Sequence, residues 1–246
     1  MSELTVLQWL FFAVVVFVSY AIRGSTGFGG VTVPLLALIM SVKTVAPMVT
    51  VLGILSSGMI LRNDYRHIAW APLRQLLPWC GLGVGLGVYL FANLDSETLG
   101  NALGIFAIGY GAHSMWRTIT PAPDRRLPMK VITPLAGSVG GFVGSLFGAS
   151  AGMFFAMYLD LLKLPKIEFR ATVAAVLVGL GVMRGAGYLW AGAFDREALV
   201  VCAAALPAMA LGVWAGNHLH TNLDEIKFKR FVAVVLILSG VPLLLR

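Results

Sequence analysis

Charge is what this sequence has least of. Only 12% of its 246 residues are Asp, Glu, Lys or Arg, against roughly 25% in soluble domains. That scarcity excludes a sizeable soluble domain. Acid is rarer than base, 11 residues against 18, for a net charge of +7. A basic balance raises the question of nucleic acid, but the basic residues sit in short loops between apolar runs, where they act as orientation signals. No nucleic-acid partner is expected. The two cysteines, Cys80 and Cys202, lie inside apolar runs and read as small inert hydrophobes. The four histidines, His67, His113, His218 and His220, show no metal-ligand spacing, so neither metal nor cofactor is expected. Glu3 stands before the first apolar run where a secretory signal would carry basic residues, so that run reads as a retained helix.

What is present in excess is apolar sequence, at 59% of residues and a mean hydropathy of +0.87. Runs such as 4–22 and 198–217 approach the roughly 20 residues needed to cross a bilayer. The expected fold is an all-α polytopic membrane protein forming one membrane domain. Cutting at charged or turn-rich points gives ten segments, at 4–22, 28–40, 45–61, 73–92, 97–116, 131–147, 149–162, 171–189, 198–217 and 230–245. Between the two sets of five lies "RTITPAPDRRLPMK" at 117–130, a polar, proline-rich linker. It divides the chain into halves at 1–116 and 131–246.

The halves match in order. A shift of 122 places Gly30 on Gly152, Thr50 on Thr172 and Arg62 on Arg184. Further on, a shift of 129 places Pro78 on Pro207, Gly83 on Gly212 and "NLD" at 93–95 on "NLD" at 222–224. Five segments per half is an odd number, so the two repeats would be inverted. With the linker in the cytoplasm and the loops alternating from there, fourteen of the eighteen Lys and Arg residues fall inside. Lys43, Arg184, Arg196 and Arg246 fall outside, as the positive-inside rule requires. Both termini would be external.

The second and seventh segments are too short for a full span, and each follows a Gly/Ser cluster, "GSTGFGG" at 24–30 and "GSLFGASAG" at 144–152. Short, glycine-interrupted segments at matching places in two halves point to a transporter binding site near the midplane. Non-helical backbone survives at that depth only when it is buried in protein or lines a cavity. A segment restarting near Phe28 would present free N–H groups and the positive end of its dipole to an anion. Gly27, Gly29 and Gly30 allow close approach to that backbone. Ser25 and Thr26 add hydroxyls, and Arg23 adds a two-pronged positive fork. The second half offers Ser150 and Gly152, with Arg184 further on. Together these residues predict a site for a small oxyanion. The plainer reading is that the glycines only let helices pack closely, which fits "GLGVGLGVYL" at 81–90 and "GSVGGFVGS" at 137–145. Arg62 and Arg184 close matching segments. Snorkelling to the headgroups is the preferred account for Arg62 and stands level with a functional one for Arg184. Asp160 is a candidate carrier of a coupling proton or cation, with an interfacial cap the plainer account. Thr50 and Thr172 read as packing hydroxyls.

The stretch "GSTGFGGVTVPLLAL", with Gly27, Gly29, Gly30 and Pro34, and its degenerate second copy "GASAG" resemble the TauE/SafE family of sulfite and organosulfur-anion exporters. Thr32 stands where the pattern places a third glycine. The resemblance covers nearly the whole chain. It implies a multi-pass protein of the cytoplasmic (inner) membrane that exports sulfite, sulfoacetate or a similar small anion. The residues alone reach a small oxyanion. Two other readings compete with this one. One is a rhomboid-like intramembrane serine protease using Ser150 and His218, although Ala151 replaces the motif's glycine and His218 falls in a polar loop. The other is a non-transporting membrane scaffold, which has no need of paired helix breaks.

Overall fold

The computed structural model describes residues 5–26, 30–120, 128–148, 151–218 and 225–245, with the side chains of Thr26, Asn63, Ala151, Met153 and 225–229 left aside. Among these residues every regular element is helical. The order is α1 (Val6–Thr26), α2 (Thr32–Leu36), α3 (Val42–Asp64), α4 (Trp70–Asn93), α5 (Ser96–Ile119), α6 (Met129–Phe147), α7 (Ala151–Asp160), α8 (Lys166–Trp190), α9 (Arg196–His218) and α10 (Glu225–Leu244). Each of the ten expected segments has its helix. Six of them, α1, α3, α4, α6, α8 and α9, are long and apolar enough to cross a membrane.

Several boundaries differ from expectation, each for a local reason. The helix α1 runs through Arg23, Ser25 and Thr26 instead of ending at Ile22. Gly24 does not break it, because that glycine packs against α9, where a Cβ would come within 2.7 Å of the Val213 carbonyl oxygen. The expected helix at 28–40 shrinks to Thr32–Leu36, after which the chain continues in turn bonds such as Ile39 N–H to the Leu36 carbonyl. Extended Ser41 then caps α3 by accepting from the Lys43 amide. The helix α7 stops at Asp160, where Lys163 takes a positive φ of 51° and Pro165 precedes α8. The linker contracts, since α5 extends to Ile119 and α6 begins at Met129. Asp95 caps α5 by accepting from the Thr98 amide, and its bonds with Thr98 hold the Asp95 carboxyl below the usual carboxylate range.

The two most buried membrane helices are α3 and α8, packed against each other at the centre. They contribute Val45, Met48, Leu52, Val173, Val176 and Leu180 to the core. Outer helices turn large apolar side chains outward, including Leu10 on α1, Leu86 on α4 and Leu211 on α9. With no water to expel between lipid-facing surfaces, close packing has to supply the association. Glycine provides it. A Cβ on Gly83 or Gly87 of α4 would overlap the carbonyl oxygens of Ser138 or Phe142 on α6. A Cβ on Gly212 or Gly216 of α9 would overlap those of Phe17 or Ala21 on α1. The packing expectation for 81–90 therefore holds at Gly83 and Gly87, whereas Gly85 has open space in front of it.

These four contacts are two copies of one arrangement. Gly83 and Gly87 correspond to Gly212 and Gly216 by the shift of 129 that the sequence displays, and α4–α6 corresponds to α9–α1. The remaining major pairs follow the same exchange: α3 packs on its counterpart α8, and α5 on its counterpart α10. Both of these counterpart pairs run antiparallel. A Cβ on Gly185 would sit near Thr50 while one on Gly181 would meet Ile54, and Gly104 lies against Gly240 while Gly111 lies against Ala233. The arrangement is compatible with two repeats of opposite direction.

Candidate functional site

Arg23 sits in the last turn of α1 and reaches sideways. Its Nη2 donates to the Ser57 hydroxyl at 2.8 Å and to the Gly53 carbonyl at 3.3 Å. Gly53 is the twelfth of the 23 residues of α3. The guanidinium therefore lies level with the middle of a spanning helix and is no loop charge. Its Nε is buried with no partner among the described residues, and the group lies 5.8 Å from the centroid of the Tyr20 ring.

Arg184 lies in the other half on α8, the counterpart of α3 rather than of α1. It is 5% exposed, inside α8 rather than at an outer loop, so both accounts of it as an interfacial charge are corrected. Counting neither Arg23 nor Arg184 as a loop charge removes one from each side of the positive-inside split and leaves its sense unchanged. Arg62, by contrast, is exposed at the end of α3. Nη1 of Arg184 donates to the Gly144 carbonyl at 2.6 Å, and one turn later the Tyr188 hydroxyl donates to the Ser145 carbonyl at 2.5 Å. These are two of the last four carbonyls of α6, which a helix leaves without internal partners. Arg184 and Tyr188 thus cap α6 just before its break. There Gly148 takes a positive φ of 78°, and a Cβ would meet the Ala46 Cα at 2.5 Å. Glycine is required at that position both by the left-handed backbone and by the approach of α3.

The two arginines flank one stretch of α3. Arg23 bonds Gly53 and Ser57, while Gly185, next to Arg184, lies against Thr50 and Ile54. Tyr20 lies within electrostatic range of both arginines, and Arg184 within that of Arg23. The Tyr20 hydroxyl is buried, as is Nε of Arg184, and neither has a partner among the described residues. No described carboxylate pairs with either arginine. The ion pair found among the described residues, Asp64 with Arg170 at 3.8 Å, joins helix ends. Burying a guanidinium without a counter-charge costs several kcal/mol, so buried Arg184 and half-buried Arg23, whose Nε is itself enclosed, both attract an anion.

The other expected site residues distribute unevenly. Ser25 is half-buried in the last turn of α1, and Gly30 is buried just before α2. Thr26 is helical, with its side chain outside what the structure describes. Gly27, Gly29 and Ser150 lie outside the described residues, as does Phe28. Gly152 is buried in the first turn of α7. The expected amide site at a helix restarting near Phe28 needs correction, because α2 begins at Thr32 and has only five residues. So short a helix sums few peptide dipoles. In this half the positive charge comes from Arg23 instead. Thr50 back-bonds to the Ala46 carbonyl, and Thr172 accepts from the Ala69 amide, so both hydroxyls are occupied in packing. Asp160 is exposed at the end of α7. His218 closes α9 instead of lying in a loop, exposed and with Nδ1 2.8 Å from the Trp214 carbonyl oxygen. Sequence reasoning passed over Tyr20, Tyr188, Gly53 and Ser57. The first two had a readable signal: Tyr20 precedes Arg23 by three positions and Tyr188 follows Arg184 by four, the spacings that share a helix face.

Comparison with known proteins gives the same direction. The family described as Sulfite exporter TauE/SafE matches residues 11–243. A relative from Comamonas testosteroni, named Probable inner membrane transporter protein TsaS, is 30% identical over 189 residues, which cover 73% of this chain and 74% of that one. No solved structure matches.

Proposed function

This chain belongs to the TauE/SafE sulfite exporter family, and from that premise we propose that it exports a small sulfur oxyanion through a site built on Arg23 and Arg184. Membership makes the chain a membrane transporter and sets aside the protease reading on Ser150 and His218. The membrane is the inner one, as the name of the Comamonas relative states for that protein. The substrate is sulfite, sulfoacetate or a related organosulfur anion.

The observation that carries this reading is the pair of membrane-buried guanidiniums with no described carboxylate partner. An anion arriving between them supplies the missing counter-charge and accepts charge-assisted hydrogen bonds. The end of α6 at Gly148, which Arg184 reaches through the Gly144 carbonyl, and the end of α1 just after Arg23 give each half a place to bend. Rocking of one inverted repeat, 1–116, against the other, 131–246, would open the site to each side in turn. A proton or cation couples this movement to a gradient. The linker lies in the cytoplasm and both termini outside, which the excess of inward Lys and Arg supports. A periplasm-active reporter fused after Leu245 is expected to be active, and a cytoplasm-active one silent. The reverse result would refute this orientation.

The purified full chain in proteoliposomes should move radiolabelled sulfite, and a panel of unlabelled sulfite, sulfoacetate, thiosulfate and sulfate should rank its selectivity by competition. Counterflow of at least one of these anions above protein-free vesicles is the expected result. No counterflow with any of them, from protein that elutes as a single species, would refute the reading.

A further inference from the structure

The charges around the two arginines do not balance within the described residues. Arg23 brings a positive charge to Gly53 and Ser57 of α3, and Arg184 brings a second to the end of α6 from the turn of α8 whose Gly185 lies against Thr50 and Ile54 of the same α3 stretch. The end of α6, which Arg184 caps, returns about half a negative charge at most. The remaining titratable groups that face the cluster are Tyr20 on α1, Tyr188 on α8 and Cys202 on α9, all neutral in their ordinary forms. The unpartnered polar atoms are nearly all donors. Nε–H of Arg23 and Nε–H of Arg184 can only donate, whereas the hydroxyls of Tyr20 and Ser145, also without a partner among the described residues, can donate or accept. Tyr20 is 1% exposed, so leaving that hydroxyl unmatched carries the full cost of desolvation.

From this we propose that the site takes the doubly charged, fully ionised form of its oxyanion, and that Tyr20 is a further binding residue whose hydroxyl donates to one of the anion's oxygens. The inference rests on the anion-site reading above and sharpens it. A dianion neutralises both guanidiniums, whereas a monoanion leaves about one buried positive charge uncompensated. A protonated oxyanion also brings an O–H that neither guanidinium Nε–H can accept, so it offers those two donors less than the ionised form does. The Arg23 guanidinium lies 5.8 Å from the centroid of the Tyr20 ring, which brings the tyrosine within reach of an anion held by Arg23.

The test uses two anions of matched shape and different charge. Thiosulfate and methanesulfonate share a three-oxygen SO3 face, and a terminal sulfur in one replaces a methyl of similar size in the other. Binding of each to the purified full-length protein is measured by titration calorimetry at mildly alkaline pH, with sulfite as a third probe. Thiosulfate and sulfite are expected to bind at least about tenfold more tightly than methanesulfonate. Arg184→Gln should bring thiosulfate and methanesulfonate to within about threefold, while Arg184→Lys should keep much of the difference. Tyr20→Phe should weaken thiosulfate by about five- to tenfold, with a melting temperature without anion that holds or rises. Equal binding of thiosulfate and methanesulfonate by the wild type would overturn the charge selectivity while leaving the anion site standing. An unchanged thiosulfate affinity in Tyr20→Phe would remove Tyr20 from the site. Absence of binding by all three probes would overturn the anion-site reading itself.

Discussion

Replacing Arg23 with glutamine is expected to raise the apparent KM for anion transport by roughly ten- to a hundredfold, the equivalent of a charge-assisted hydrogen bond worth about 1.5–3 kcal/mol. Arg23→Lys should fall between, since an ammonium keeps the charge and loses the two-point fork. The effect on stability should have the unusual sign. The Gly53 carbonyl that Arg23 reaches is in the middle of α3 and keeps its helical partner, and Ser57 can turn its hydroxyl to a carbonyl one turn back. What Arg23→Gln removes is mainly an unpaired buried charge, which costs stability in the anion-free protein. The melting temperature in detergent without substrate should therefore hold or rise while KM worsens. The stabilisation that added anion gives the wild type should shrink in the variant. Equal kinetics for wild type, Arg23→Lys and Arg23→Gln would take Arg23 out of the site.

Much of the fold was legible because membrane solvation imposes simple rules. Long charge-free runs had to be helices, since hydrocarbon offers backbone groups no partners. The match between the halves was legible at Gly83 and Gly212, because close packing tolerates few alternatives to glycine there and a similar contact is made in each half. The ends of the short segments were less legible. Gly24 looks in sequence like the start of a break, yet it serves packing against α9. Only the position of Val213 in space separates the two roles. Thr32–Leu36 reads as part of a longer apolar helix because apolar content does not distinguish a helix from a buried run of turns.

The site was legible in part for a different reason. Arg23 announced itself as a lone charge beside an apolar run. Arg184 sits in "GVMRGAGYLW", where a charge at a span's end and a charge within a span look alike. Its depth depends on where α8 begins, which is just after Pro165. The partner carbonyls of Gly144 and Ser145 carry no sequence signature at all. They become acceptors only because α6 ends there and leaves them unpaired.

Arg184 has two jobs in this account, and substitutions at neighbouring positions should separate them. Tyr188→Phe leaves the Ser145 carbonyl at the buried end of α6 without its donor, which should lower stability by about 1–3 kcal/mol. It removes no charge, so the apparent KM should change by less than about twofold. Arg184→Gln removes both the charge and the strongest cap on Gly144. It should lower stability by a comparable amount and also raise KM by ten- to a hundredfold, on the order of the Arg23 effect. Arg184→Lys should recover part of the KM, because the charge remains, and less of the stability, because the flexible ammonium holds the Gly144 carbonyl less firmly. Thermal melting followed by size-exclusion elution, with efflux kinetics from proteoliposomes on the same preparations, gives both readouts. If Tyr188→Phe raised KM as much as Arg184→Gln does, the geometry of the α6 end would be controlling transport and the charge on Arg184 would be incidental. The expected pattern instead has KM following the arginine charge while stability follows the cap, because an anion between Arg23 and Arg184 is attracted by charge and the end of α6 is held by hydrogen bonds.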